Sequence, residues 1–430
     1  MNTTIKRSQL FVAACISLLV TSLSFGIRAG ILGDLGTQFH LSASELAIIA
    51  STAFWGFPLA IIVGGMLVDI IGMKRLLIAA FALHFLGIAL TISAQGFTSL
   101  FISTLFIGLG NGTVEAACNP LVTSLYPENK TTRLNYFHLW FPGGIVIGSL
   151  LVFFTKDMNF GGIDIWKLQV GLMFIPTLVY GYLFSRLKFP VTERVAAGVS
   201  SGEMYRALAN PLFIIMIILM FGTAITELFT GQWIDVLLHN ITKNAILLLA
   251  IDTGVMVVGR AFAGPVVHRL APQGVLLMSA IFAALGLYML GHFTGSMLYA
   301  GALVFGVGVC YFWPTMLGFV SENLPRTGAV GLNLMGGAGM FAVSVYMIFM
   351  GGYYDELVAK NLPAGADMAT YTGANATPDM MAAVNVAKAA AGPEIINVTL
   401  TIPIVLIVAF IGLNMYTRKR RSTSIQEAVA

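Results

Sequence analysis

The sequence predicts an all-α membrane protein of twelve transmembrane helices arranged as two six-helix bundles. Three observations predict it. Of the 430 residues, 57% are hydrophobic and only 10% charged, with a mean hydropathy of +0.87; a soluble domain carries about 25% charged residues to cover its water-facing surface. The apolar residues gather in twelve runs, and a spanning helix needs about 20 residues of that kind. The basic residues collect at alternate ends of those runs. The 46 glycines and 15 prolines agree with this reading, because packed membrane helices re-satisfy the backbone groups that both residues free. The alternating strands of roughly ten residues that build a transmembrane barrel do not occur.

In chain order the runs fall at about 9–32, 45–70, 75–95, 99–125, 136–155 and 168–186, then at about 212–238, 245–268, 274–292, 296–320, 328–352 and 397–416. The first follows Lys6 and Arg7 but is longer than the apolar core of a secretory signal, and eleven more follow, so a helix is expected there and not a cleaved leader. The fourth carries Gly108, Gly110 and Gly112, which leave room for a neighbouring backbone. Between the sixth and seventh runs lies a polar stretch with Lys188, Glu193, Arg194, Glu203 and Arg206. The expected organisation is therefore an N-terminal bundle over 1–187, a cytoplasmic linker over 188–209 and a C-terminal bundle over 210–430. An extracytoplasmic insertion at 353–394 interrupts the second bundle. Within it, Met380, Met381, Val384 and Val386 among alanines suit a short helix over 378–391 lying on the protein or membrane surface, while the plainer reading takes the whole insertion as a loop without function.

Lysine and arginine accumulate in cytoplasmic loops. With both termini inside, sixteen of the 23 basic residues lie on the cytoplasmic side, five outside, and Arg28 and Arg260 within spans. A multi-pass protein of the cytoplasmic (inner) membrane with both termini cytoplasmic is expected. The net charge of +4 then reflects topology and not a nucleic-acid partner. Cys15, Cys118 and Cys310 lie inside apolar runs without CxxC or CxxH spacing, so buried free thiols are expected, with no metal site and no cofactor.

Gly65, Asp69, Gly72, Lys74 and Arg75 follow one another around the second run's end. Gly65 would let helices approach closely, Gly72 would permit a tight turn, and Asp69 could cap a facing helix N-terminus. This spacing resembles the signature of the major facilitator superfamily. A narrower resemblance rests on the stretch from Gly110 through Glu115 and Asn119 to Pro120, on Arg133-Leu134-Asn135, on Glu227 to Gly231, on Gly259-Arg260 to Gly264 leading to Arg269 and Pro272, and on Trp313-Pro314-Thr315. These look like segments of the fucose:proton symporter family, which includes glucose and galactose carriers. The resemblance implies the major facilitator fold and proton-coupled sugar transport by alternating access. The chain departs from that family where Arg28, Ala29 and Gly30 stand in place of an Asn and an Asp, and where His138 and Phe141 replace a Gln and an Asn. The identity of the solute does not carry over.

An ionisable side chain at membrane depth costs at least about 2.5–3.5 kcal/mol on insertion scales, so each is a functional candidate. Arg28, Glu115, Glu227 and Asp252 stand at such depth. Glu115 reads as a proton carrier or as the static partner of Arg28, and a pair that breaks during the cycle would combine the two. Glu227 and Asp235 lie eight residues apart on one side of the seventh helix, with Glu227 the deeper, and Asp252 and Arg260 repeat that spacing on the eighth. Arg260 and Arg269 read as structural or gating groups, and Asp252 as a coupling or gating group. Asn135 and His138, three apart, share a helix face; histidine titrates near neutral pH, while a hydrogen-bonded structural histidine is the plainer reading. His84 and His292 carry no such neighbours.

A sugar site combines an aromatic platform with amide, carboxylate and hydroxyl partners. Trp55, Trp140, Trp233 and Trp313 could supply platforms, although tryptophan also populates the membrane interface. Asn119, Gln232 and Asn333 could bind hydroxyls or pack helices. The expectation is a monomeric secondary carrier in the lipid bilayer whose halves rock about a central site, moving a small solute, a hexose or related sugar, inward with protons. Substrate would meet Arg28, Trp55, Asn119, Asn135, His138, Trp140, Glu227, Gln232 and Trp313. Coupling would fall to Glu115, Glu227 and Asp252. Sodium coupling and uniport stay open, as does a sugar acid or other organic anion bound through Arg28. No HExxH, GxSxG or Walker loop stands in a suitable context, so an enzyme is not expected. A nontransporting sugar sensor would need a signalling domain larger than the short tail after Arg421.

Overall fold

The computed structural model describes residues 5–41, 43–155, 158, 161–162, 164–238, 241–242, 245–372 and 376–429. Among the described residues the regular structure is entirely helical. The twelve helices are α1 (Arg7–Phe39), α2 (Ala43–Ile71), α3 (Met73–Ile92), α4 (Phe97–Leu125), α5 (Lys130–Thr155), α6 (Ile165–Arg186), α7 (211–238), α8 (Ala245–Ala261), α9 (Ala263–His292), α10 (Met297–Asn323), α11 (Gly328–Lys360) and α12 (Pro378–Val429). Eleven of these are long and apolar enough to cross a membrane; α8, described over 17 residues, is the shortest.

Contacts divide the chain into two compact units, one of residues 1–217 with 314–341 and one of residues 218–313 with 342–430. In the first, α4 is the hub, packed against α2 and α3, while α1 lies along α5. Glycine makes the closeness possible. A Cβ on Gly108 would lie 2.8 Å from Ala53 Cα, and one on Gly112 would strike the Phe57 carbonyl, so α2 and α4 meet backbone to backbone. The later segment of this unit, from α10 and α11, packs on the same framework: a Cβ on Gly65 of α2 would lie 2.5 Å from Asn333 Cβ of α11, and Asn333 Nδ2 donates to the Ala116 carbonyl of α4 at 2.9 Å. In the second unit α9 packs against α10 and α12, and α8 against α10.

Several helices run past their apolar runs. The segment at 353–394, expected to be a loop with a short surface helix at 378–391, is corrected: α11 continues to Lys360, and 378–391 is the opening of the 52-residue α12. The reason is packing. Val384, Ala387 and Ala391 are buried, and Gly392 lets the backbone of α12 close on the Leu237 carbonyl of α7. At 1.5 Å per residue α12 is about 78 Å long, more than twice the roughly 30 Å hydrocarbon thickness, so it reaches beyond the bilayer. The fifth helix begins at Lys130, six residues before its apolar run, because tertiary partners satisfy its polar first turn.

Between the sixth and seventh helices the chain forms two short helices, Glu193–Ala196 and Ser201–Leu208. Ser200 and Glu203 make a reciprocal cap at the second, and the bonds from the Ser200 backbone and hydroxyl hold the Glu203 carboxyl below its ordinary range.

Candidate functional site

In the first unit the polar groups of α4 and α5 form a chain. Glu115 follows the three close-packing glycines of α4 and is 2% exposed. One turn later Asn119 donates from Nδ2 to Glu115 Oε2 at 3.3 Å, and its Oδ1 lies 3.0 Å from His138 Nε2. An amide oxygen only accepts, so His138 donates through Nε2. The result is a buried carboxylate, amide and imidazole in sequence. One turn before His138, Asn135 Nδ2 donates to the Thr131 carbonyl at 2.9 Å and reaches Thr315 Oγ1 of α10 at 3.5 Å; among the described residues its buried Oδ1 has no partner.

Arg28 stands apart from Glu115. It lines an inner cleft of the first unit with Thr104 and Ile107 of α4, with its guanidinium 5.0 Å from the Phe25 ring centroid. Those α4 residues precede Glu115 by at least two turns, about 12 Å along the axis, and among the described residues Arg28 makes no ion pair. A static Arg28 to Glu115 pair is therefore not the arrangement here. His84, to which the sequence gives only a structural role, is held by hydrogen bonds: Nδ1 lies 2.9 Å from the Tyr180 hydroxyl and Nε2 2.9 Å from Asn111 Oδ1, while Asn111 Nδ2 donates to Ser24 Oγ at 3.1 Å. The mid-span Asn111 was the signal for this network, which ties α1, α3, α4 and α6 together.

In the second unit Glu227 sits in a single π-helical turn, Ile225–Phe229, within α7. Such turns widen the helix and are frequent at functional sites. Glu227 Oε1 accepts from Arg260 Nη2 of α8 at 2.9 Å, and Arg260 Nε donates to the Cys310 carbonyl of α10 at 2.6 Å. Asp252, eight residues before Arg260 on α8, is buried and within electrostatic reach of both. Among the described residues, Glu227 Oε2, Asp252 Oδ1, Thr230 Oγ1 and Trp313 Nε1 are buried without a hydrogen-bond partner. A buried polar atom left open costs about 1–3 kcal/mol; Ser279 Oγ, the Tyr354 hydroxyl and Asn397 Oδ1 of the same unit are open as well, so each open atom is a candidate partner for something polar and the set does not by itself define one site. Thr230, three residues after Glu227 and thus on its face, was not singled out from sequence, although that spacing pointed to it.

The tryptophans separate. Trp313 is buried, whereas Trp55 and Trp140 are 44% and 36% exposed. Trp233 stacks on Phe229 at 5.4 Å and meets Tyr354 edge-on at 6.2 Å, forming an aromatic cluster of the second unit. The Gln232 and Asp235 side chains lie outside the described residues.

The motif around Asp69 closes on the linker. Asp69 accepts from Thr192 Oγ1 at 2.5 Å and from Arg194 Nε at 2.6 Å, so its partners are linker side chains and not the N-terminus of a facing helix. Gly72 adopts φ +86 at the start of α3 with open space around it, a conformation that favours glycine. Lys74 Nζ donates to the Ser185 and Leu187 carbonyls at the end of α6, and Arg75 is exposed. Lys130 Nζ pairs with Glu193 at 2.9 Å and donates to the Ser321 carbonyl of α10, and Thr131 Oγ1 donates to Glu322 at 2.6 Å. Arg269 is exposed on the second unit.

The family model of the Major Facilitator Superfamily matches residues 14–350. The facilitated glucose transporter member 10 of solute carrier family 2 from Xenopus laevis is 26% identical over 175 residues, 40% of this chain and 31% of that protein. Myo-inositol transporter 1 of Saccharomyces cerevisiae is 28% identical over 197 residues, 44% of this chain and 32% of the relative. The match thus spans about a third of the length of these curated relatives. Among solved structures, the transporter FucP in its outward conformation superposes with a TM-score of 0.68 at 18% identity, over 92% of this chain and 98% of that one, a likeness of fold.

Proposed function

The chain belongs to the Major Facilitator Superfamily, and from that premise we propose that it is a secondary carrier moving a hexose or related polyhydroxylated solute by proton symport with alternating exposure of its binding groups. The observation that carries the reading is the buried run from Glu115 through Asn119 to His138. A carboxylate with that environment can hold a proton away from water, and the amide couples its charge to a second titratable group. Protonation of Glu115 neutralises the first unit's buried acid, and the loaded carrier then turns over; loss of the proton on the other side resets it. Each unit also brings its own open polar atoms for hydroxyl groups, Asn135 Oδ1 in the first and Glu227 Oε2, Thr230 Oγ1 and Trp313 Nε1 in the second. Asp252 is the second candidate for coupling. The carrier would sit in the cytoplasmic membrane with both termini inside, in keeping with the placement of its basic residues.

The test is uptake into proteoliposomes under an imposed pH gradient, with labelled glucose, fucose, xylose and myo-inositol. Glu115→Gln is expected to abolish accumulation driven by the gradient while leaving exchange of bound solute measurable. Unchanged accumulation removes Glu115 from the role, accumulation driven by sodium alone replaces the coupling ion, and binding without flux favours a sensor.

A second reading has its own observation. Arg28 carries a buried-side guanidinium with no ion pair among the described residues, and a carboxylate solute would supply the missing charge. Counterflow of neutral against acidic sugars decides: transport of acids alone, lost on Arg28→Gln, establishes the anion carrier.

A further inference from the structure

Where α9 begins and α12 leaves the bundle, the second unit has a groove on its outer surface that the proposed transport does not use. Arg269 and Arg418 stand at one end of it, one on each helix. The walls are apolar and exposed, with Ile281 and Phe282 on α9 and Ile411 and Met415 on α12. No acidic residue lines it, and among the described residues neither arginine makes an ion pair. The helix path makes the groove a fixed feature. At Ala271 the backbone of α9 leaves helical geometry (φ 56, ψ 162) just before Pro272, and Asn414 Nδ2 of α12 donates to the Gln273 carbonyl at 2.9 Å, pinning the new direction.

We propose that this groove binds one anionic phospholipid, with the headgroup phosphate between Arg269 and Arg418 and an acyl chain along the wall. Two guanidiniums lining one groove without a counter-charge repel each other, and a phosphate accepts hydrogen bonds from arginine. From Pro272 to Phe282 the wall is about 15 Å long at 1.5 Å per residue, which is about half the hydrocarbon thickness, the depth of one leaflet. A soluble phosphate would use the arginines and leave that wall uncovered. Charge at the interfacial end and apolar surface toward the midplane is the polarity of a lipid, and basic pockets between spanning helices on the cytoplasmic side are where anionic headgroups are held.

The experiment measures retention of labelled phosphatidylglycerol and phosphatidylcholine by the purified full chain in mixed micelles. The wild type is expected to retain one phosphatidylglycerol in preference to phosphatidylcholine by about tenfold or more, the effect of two basic groups facing an anionic headgroup. Arg269→Gln with Arg418→Gln should erase the preference, and Arg269→Lys with Arg418→Lys should keep most of it. Arg186→Gln with Lys188→Gln, at another basic surface, should leave it intact. If the double Gln variant fails to fold, the single Arg418→Gln, on the exposed stalk of α12, is read in its place. Equal retention of both lipids by the wild type overturns the proposal, as does a preference unchanged in the Gln variants. Displacement of the lipid by millimolar inorganic phosphate alone makes it a soluble-anion site and also overturns it. So does a change of mass in light scattering without a change in lipid retention, which would make the groove an interface between copies.

Discussion

The Glu227 and Arg260 side chains are only 5% and 2% exposed, and their 2.9 Å contact is the central electrostatic fact of the second unit. Attraction between two buried charges does little more than offset the cost of removing both from water, but taking one partner away leaves the other unpaired, at a cost of about 3–5 kcal/mol. Arg260→Gln is accordingly expected to lower stability by about that amount in detergent unfolding titrations, and Glu227→Gln with Arg260→Gln together to recover most of it. Simple addition of the two single losses would show that the pair is not a unit. Sequence pointed to both residues, as it did to Glu115, Asn119 and His138, because charged and amide groups in apolar runs stand out. It did not pair them. Arg260 is 33 residues from Glu227 and His138 is 19 from Asn119, and which faces meet depends on helix rotation. In helices apolar all round, rotation leaves little trace in the pattern. The same gap lets Arg28 and Glu115 look like partners on paper when two turns of helix separate them.

Individual helices were easier to read than their limits. Eleven of the twelve runs each fall on one helix, since an apolar stretch of spanning length has little alternative in a bilayer, and the eighth, 245–268, crosses the break at Phe262 between α8 and α9. The extensions at the start of α5 and the end of α11 are polar or mixed stretches, and hydropathy carries no signal for them; at the start of α12 the apolar residues among alanines signal a helix but not its continuation into the span. The π-helical turn at Glu227 is likewise invisible in composition. Glycine, in contrast, is legible once the partner is known. Gly286 of α9 faces the Phe305 backbone of α10, and Gly308 of α10 faces the Ala283 backbone of α9, so each helix is notched where the other crosses. A side chain at either notch must push backbone against backbone. Gly308→Leu is expected to destroy the crossing, seen as loss of a monodisperse peak in size-exclusion chromatography, whereas Gly412→Ala, where an added Cβ meets nothing within 4 Å, should behave as wild type. Equal tolerance at both positions would mean that the α9 to α10 contact does not limit folding.

At the scale of the molecule, what matters is that residues 314–341 lie late in the chain and yet belong to the first unit. Five side-chain contacts hold the basic end of that unit together: Asp69 with Thr192 and Arg194, Lys130 with Glu193 and the Ser321 carbonyl, and Thr131 with Glu322. Lys130 and Thr131 belong to α5, Ser321 and Glu322 to α10, and Thr192 to Arg194 to the linker, so the linker is clamped between a motif at the end of α2 and a strand of contacts reaching α10. On the proposed reading, a carrier that exposes its binding groups alternately has to undo contacts at one end, and we propose that these polar contacts within the first unit are among them. Asp69 and Arg194 are 5% and 9% exposed, buried enough for a charge-assisted bond worth about 1.5–3 kcal/mol, or roughly tenfold or more in a two-state balance. Arg194→Gln is therefore expected to raise, by about tenfold, the labelling rate of a cysteine placed at Ser321 by a membrane-impermeant maleimide; Cys15, Cys118 and Cys310 are buried and give little background. Asp69→Asn should do the same, and the two together little more than either alone, because the bond between them is the one that both remove. A labelling rate indifferent to both substitutions would show that this end is closed by apolar packing, with the ion pairs as bystanders. A further increase in the double variant would show instead that each residue holds the end shut through a different partner.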